Sequence, residues 1–202
     1  MKTKLLMFYD DNRKGFGEIA TKSAEKFCKR HGFDICIDYR PTFNHDGFML
    51  KPHMLRDHLN KNDCDWLVYM DSDVMFRSDA TINGLFEKPI NISTDGGLCV
   101  GFMTLQNIPE VRRYINIWAD LGHITTITGQ DYPHCDQSVF MLIYEHFKWA
   151  RDLVHPIPQS LVSNPRTKDE NGQFQLGSIA HHFWSSANNC TENMQLFYDQ
   201  LG

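Results

Sequence analysis

Up to Met70 the chain reads as three short apolar runs separated by two stretches of helical spacing, and this alternation restricts the architectures open to it. Lys4 to Tyr9 suits a strand buried on both faces, and Asp10-Asp11-Asn12 reads as its exit into a loop. Ala20, Ala24, Phe27 and Cys28 follow helical spacing, with His31-Gly32 as a carboxyl cap. Phe33 to Ile37 predicts a second strand, Lys51 to Asn60 a helix buried through Met54, Leu55 and Leu59, and Trp66 to Met70 a third strand. Parallel strands need crossovers of this kind, so the order predicts an α/β protein with a mostly parallel, doubly wound central sheet. In such sheets ligands gather beyond the carboxyl ends of the strands, where Asp10 and Asp71 fall.

The second half is less regular. Leu98 to Leu105 predicts a strand, and Val111, Tyr114, Ile115, Trp118 and Leu121 a helix ending at Gly122. Asp136 is placed to cap a helix running to about Phe147, apolar nearly all round and therefore expected to be buried. Ile179 to Phe183 is strand-like, and Met194, Phe197, Tyr198 and Leu201 give an amphipathic last helix. The stretch from Asn164 to Gly177 is rich in Lys, Asp, Asn, Gln and Gly, and predicts a surface loop.

Composition narrows the function classes. The 202 residues suit one core, and 42% apolar with 22% charged residues excludes disordered, collagen-like and coiled-coil chains. A net charge of -5 without a basic block argues against gripping nucleic acid, which rewards clustered Lys and Arg through counterion release. The longest apolar stretch, Val139 to Tyr144, is far short of the roughly 20 residues a membrane-spanning helix needs. Lys2 and Lys4 before Leu5 to Tyr9 imitate a signal peptide, but Asp10-Asp11 cuts the apolar run short, so the segment reads as the first strand. The 6 cysteines show no metal-ligand spacing and read as reduced thiols of a cytoplasmic protein. Asn-x-Ser/Thr matches at Asn91 and Asn189 are read as chance.

The chemistry concentrates in Asp65 to Phe76, where the apolar strand Trp66 to Met70 runs straight into Asp71-Ser72-Asp73. Two like charges about 6 Å apart repel by a few kcal/mol at an effective dielectric of about 20, so a carboxylate pair at a buried strand end calls for a cation. Oxygen donors favour Mg²⁺ or Mn²⁺, ions that keep open positions for phosphate oxygens, which points to a diphosphate ligand. The alternative is a solvated turn, since Asp and Ser favour turns for their own hydrogen-bonding reasons.

This segment resembles the Asp-x-Asp motif of GT-A fold retaining glycosyltransferases. Together with Lys51 to Leu59 it resembles the helix and metal-site strand of the galactosyl/xylosyltransferase family that includes the xyloglucan xylosyltransferases. The resemblance implies a single GT-A catalytic domain over residues 1–202, with a nucleotide-binding half at 1–76 and an acceptor and sugar-binding half at 77–202. It implies transfer of a hexose or pentose, with retention, from a nucleotide sugar carrying UDP, dependent on Mn²⁺ or Mg²⁺. Cys99 to Asn107 with the Trp118 helix resembles the family's Asn-Thr-Gly strand, Cys99 standing where the family has a donor-contacting Asn. Asp136-Gln137 resembles the pair beside the reacting sugar, with Gln137 facing the anomeric carbon and Asp136 positioning substrate; read alone, Asp136 is a helix cap.

His181-His182-Phe183-Trp184-Ser185 resembles the family's late His-Phe-Ala-Gly, which makes His182 the third ligand beside Asp71 and Asp73, with Ser185 in place of the glycine. In an extended segment His181 and His182 face opposite ways, so one of them alone reaches the metal. By the same resemblance Tyr9 and Asp10 contact base and ribose, Lys51 offsets diphosphate charge, and Ser72 and Gly101 lie against the donor. His53, His58, His123, His134, His146 and His155 receive no role. The acceptor, a glycan, protein or lipid, is expected at the segments His123 to Pro133 and Asn164 to Gly177.

Two rivals come from other classes. Asp71-Ser72-Asp73-Val74 also fits the opening of haloacid-dehalogenase-like phosphatases, but that motif belongs on a first strand and no downstream Lys and Asp pair accompanies it. A non-catalytic binder of sugar nucleotides or glycans is the other, prompted by the Cys99 departure.

Overall fold

A computed structural model of the chain describes residues 1–39, 47–94, 97–128, 135–163, 177–183 and 190–201. Strand β1 (Thr3–Tyr9) leads through a short 3-10 turn into α1 (Lys14–His31), which closes at Gly32 in the left-handed conformation (φ 67°) favoured by glycine. There follow β2 (Asp34–Tyr39), α2 (Gly47–Asn60), β3 (Trp66–Met70), β4 (Val74–Phe76), β5 (Ile90–Thr94) and β6 (Leu98–Gln106). The remainder comprises α3 (Pro109–Thr128), α4 (Cys135–His146), α5 (Lys148–Leu153), β7 (Val154–Pro156), β8 (Val162–Ser163), β9 (Ala180–His182) and α6 (Cys190–Leu201).

Six strands form the central sheet in the order β2-β1-β3-β6-β5-β7. It is mostly parallel: β1 with β2, β1 with β3 and β5 with β7 run parallel, while β6 runs antiparallel to both its neighbours. A smaller sheet, β4-β9-β8, lies beside it. Period-two alternation divides β1 between two cores. Leu5 and Met7 pack with Phe16, Phe27 and Phe197 of α1 and α6, whereas Leu6 joins Leu55, Tyr114, Trp118 and Phe140 of α2, α3 and α4. Burying a large apolar side chain contributes about 1.5–3 kcal/mol, so the two layers hold the central strands from both faces.

Several expectations need adjusting. Helix α2 begins a turn before Lys51, leaving Pro52 inside it, because a proline in the second turn costs one early hydrogen bond and spares the rest of the ladder. Helix α3 does not stop at Gly122 but continues to Thr128, so 123–128 of the expected acceptor segment are helical. Residues 129–134 and 164–176 lie outside the described residues, as do Trp184, Ser185 and Asn189. Helix α4 is not buried all round: Val139, Phe140 and Ile143 are, but Leu142 is 44% exposed.

Asn91 is fully buried inside β5, where its side-chain oxygen accepts from the Glu87 and Lys88 amides and its nitrogen donates to the Lys88 carbonyl and Thr104 hydroxyl. Cys28, Cys36, Cys64, Cys99 and Cys190 are free thiols. Among the described residues, no helix is long and apolar enough to cross a membrane.

Candidate functional site

Strand β3 sits between β1 and β6 with all five residues buried, so its carboxyl end is a fixed point. The chain leaves it at Asp71, whose amide donates to the Gly101 carbonyl of β6 (2.7 Å), and turns tightly as the Val74 amide donates to the Asp71 carbonyl (3.0 Å). Strand β4 then pairs antiparallel with β9, Val74 opposite His182, and the Phe183 amide donates to the Asp73 carbonyl (2.7 Å). Backbone pairing thus carries the late histidine segment to the Asp-Ser-Asp turn.

Asp71, Asp73 and His182 each offer one donor atom, and the three atoms lie within 4.8 Å of one another. His182 Nε2 is 3.2 Å from Asp73 Oδ1; the Asp73 and His182 side chains are 9% and 7% exposed, whereas Asp71 is 28% exposed and opens the cluster outward. His181 points the other way, its Nδ1 hydrogen-bonded with Ser163 Oγ and its ring edge-on to Phe197.

The donor set suits a divalent cation. Two carboxylates and an imidazole match Mn²⁺ or Mg²⁺ chemistry, and ligands on opposite sides of such an ion stand about 4.2 Å apart, close to the spread of this cluster. The electrostatics agree. Burial lifts the Asp71 carboxyl above its ordinary range despite Lys51, and the Asp73 charge adds to the lift. Burial would lower the His182 imidazole, but Asp73 beside it outweighs burial and holds it well above its ordinary range.

Lys51, only 4% exposed, lies between two carboxylates: its Nζ is 2.7 Å from Asp136 Oδ2 and 3.1 Å from Asp71 Oδ1, and also donates to the Val100 carbonyl. Burial opposes its charge, but Asp136 and Asp71 prevail and raise its proton affinity. The Tyr69 hydroxyl donates to Asp71 from beneath. Asp136, 4% exposed, also accepts from the Gln137 amide (2.8 Å), and its carbonyl accepts from the indole of fully buried Trp118 (2.7 Å). Helix α3 therefore fixes the start of α4, and Lys51 ties that start to Asp71. Gln137 occupies the first turn of α4, half-buried.

The remaining candidates are placed differently. Tyr9 is 8% exposed and packs over Gly17, where a Cβ would come within 2.7 Å of its ring. Asp10 accepts from the Arg13 amide and pairs with its guanidinium, capping the turn into α1. Ser72 is buried between the two aspartates, and Gly101 lies against the His182 ring. Sequence reasoning missed Tyr39, the register partner of Tyr9, which is 43% exposed and hydrogen-bonds Asp11. Its place at the end of the strand beside β1 was the available signal. The Lys51–Asp136 pair was also missed, because no local pattern links residues so far apart.

No protein-family model and no curated protein sequence matches the chain. Solved structures do match. A glycosyltransferase involved in the glycosylation of the major capsid of PBCV-1 is similar with a TM-score of 0.75 at 11% identity, over 97% of this chain and 100% of that one. The fold is GT-A. The glycosyltransferase GlyE of Streptococcus pneumoniae TIGR4 is similar with a TM-score of 0.64 at 12% identity, over 98% of this chain and 60% of that one. The galactosyltransferase LgtC, solved with donor and acceptor sugar analogs, is similar with a TM-score of 0.58 at 14% identity, over 98% of this chain and 96% of that one. In this GT-A chain the acidic turn lies at the carboxyl end of the central strand, and with His182 it forms the only group of three such side chains among the described residues that could hold a metal ion.

Proposed function

We propose that this chain is a metal-dependent glycosyltransferase that moves a hexose or pentose from a nucleotide sugar, UDP-linked, to an acceptor with retention of configuration. The observation that carries this reading is the Asp71, Asp73 and His182 cluster at the end of the central strand of a GT-A fold. Those three side chains would hold Mn²⁺ or Mg²⁺, which when bound supplies Lewis acidity toward the departing diphosphate. The chain's own residues then orient the reaction. Lys51 holds Asp71 and Asp136 in place through its two ion pairs, Asp136 fixes the first turn of α4, and Gln137 presents its amide oxygen to the cationic face of the sugar centre. An amide is too weak a nucleophile to form a covalent intermediate, so acceptor attack on the face of the departing phosphate is the mechanism we favour.

Residues 1–76 carry the nucleotide and 77–202 the sugar and acceptor in this reading, with Tyr9, Tyr39 and Asp10 toward the nucleoside and Ser72 and Gly101 beside the diphosphate. The xyloglucan-xylosyltransferase-like assignment rests on the sequence blocks alone. Free buried thiols support a cytoplasmic setting. The phosphatase rival finds no support in the GT-A fold.

The test is UDP release and product formation across a panel of UDP-sugars, with and without Mn²⁺. Turnover is expected only with metal, falling at least about 100-fold in Asp73→Asn, and NMR of the product is expected to show the donor's anomeric configuration. Turnover of phosphatase substrates without a nucleotide sugar would overturn the reading, and Mn²⁺-dependent UDP binding with no transfer across the panel would make the chain a binder.

A further inference from the structure

Cys99 is not used by the mechanism above, yet it faces the metal cluster from behind. Its Sγ lies 3.6 Å from His182 Nδ1, within hydrogen-bond range for sulfur, and the thiol is 2% exposed. The other ring nitrogen, Nε2, is the one 3.2 Å from Asp73 Oδ1. Cys99 and Gly101 are two residues apart on β6 and so share a face. Gly101 supplies the floor of a slot for the imidazole: a Cβ there would fall 2.5 Å from His182 Cε1. The ring thus bridges the two sheets, with β9 carrying it and β6 receiving it.

We propose that Cys99 is a positioning residue for the metal ligand His182, its sulfur accepting a hydrogen bond from Nδ1–H, which keeps the proton on Nδ1 and leaves the Nε2 lone pair for the cation. This rests on the metal reading proposed above. A metal-bound histidine commonly donates its second ring N–H to a carboxylate, carbonyl or water, and that partner sets tautomer and ring orientation. Here the partner is a thiol, a weak acceptor, and the narrow Gly101 slot supplies much of the orientation that a carboxylate would give elsewhere. The assignment gives this chain's cysteine a role in place of donor contact.

The experiment measures binding of Mn²⁺ alone by calorimetry in wild type, Cys99→Val, Cys99→Ser and Asp73→Asn. The valine fills the space without accepting a hydrogen bond; the serine restores an acceptor. About tenfold weaker Mn²⁺ binding is expected for Cys99→Val and wild-type affinity within about threefold for Cys99→Ser, the lower end of what such partners contribute. In the Mg²⁺-loaded protein, nitrogen-detected NMR of the His182 ring should show the proton on Nδ1 in wild type and the serine variant, with that signal lost to solvent exchange in the valine variant. A thermal melt checks that each variant folds, and Cys99→Ala takes the place of the valine variant if that one does not.

Equal affinity in wild type and Cys99→Val, or equal loss in the valine and serine variants, overturns the proposal while leaving the metal site intact. A sulfur-to-metal charge-transfer band in the Co²⁺-loaded protein also overturns it, since it would make the thiol a ligand. Absence of Mn²⁺ binding in the wild type removes the metal reading itself, and this inference with it.

Discussion

His181 and His182 are adjacent in sequence and live in opposite surroundings, which is what extended backbone does to neighbours. His182 faces Asp73, which raises its pKa well above the ordinary value in the metal-free protein, whereas His181 lies among Phe183 and Phe197, where burial lowers its pKa to about 4. A histidine whose folded-state value lies below its ordinary 6.5 stabilises the native state in its neutral form. That contribution is complete above about pH 6.5 and disappears as the pH falls toward 4, a difference of about 3 kcal/mol. Urea denaturation at pH 7 and pH 4 should therefore show a steeper loss of stability for wild type than for His181→Leu, which has no proton to bind there; parallel losses would contradict the assignment. The alternation separating the pair was legible from the sequence. The ring contacts that make His181 hydrophobic were not, because Phe197 belongs to a helix whose docking no local pattern announces.

At the scale of elements, the strands and helices up to Met70 were legible because each is long enough to show a period. The elements missed were short or unusual. Strands β4 and β8 have three and two residues, too few for alternation to register, whereas β9, also of three residues, lies inside the strand expected over Ile179 to Phe183. Strand β5 carries buried Asn91 as its second residue, a polar side chain that breaks the apolar pattern, although its four hydrogen bonds to Glu87, Lys88 and Thr104 satisfy it completely. The candidate site depends on two strands that the sequence shows, β6 and β9, brought together from different sheets. Gly101 of β6 lies against the His182 ring of β9, so any side chain there meets the imidazole. Gly101→Ala is expected to leave circular dichroism unchanged, because the strand tolerates alanine, but to push the imidazole away from Asp73 and weaken Mn²⁺ binding at least tenfold. A variant binding Mn²⁺ as tightly as wild type would mean that the ring has room to yield and that the slot is not a constraint.

For the whole molecule, the acidic turn was readable as local chemistry and the α/β sheet as a pattern of elements, while GT-A entered through the resemblance of the Asp71 segment, and the three similar structures named above share only 11–14% identity with the chain. A fold is specified by burial pattern and connection geometry, which many sequences satisfy, while the identity of a donor or acceptor depends on a few side chains. The candidate site draws on nearly every layer: Lys51 from α2, Asp71 after β3, Cys99 and Gly101 from β6, Asp136 from α4 and His182 from β9. Ligands that bind it should therefore stabilise the molecule as a unit. At a concentration 100 times its dissociation constant, a ligand adds about 2.7 kcal/mol, which for a chain of this size raises the melting temperature by roughly 5–10 °C. Because the cation and the diphosphate are expected to share one site, Mn²⁺ and UDP added together should raise the melting temperature by more than the sum of their separate effects, and Asp73→Asn should abolish the excess. Strictly additive shifts would place the two ligands at independent sites, and the acidic turn would then have to be explained as a structural corner held by Lys51 and His182.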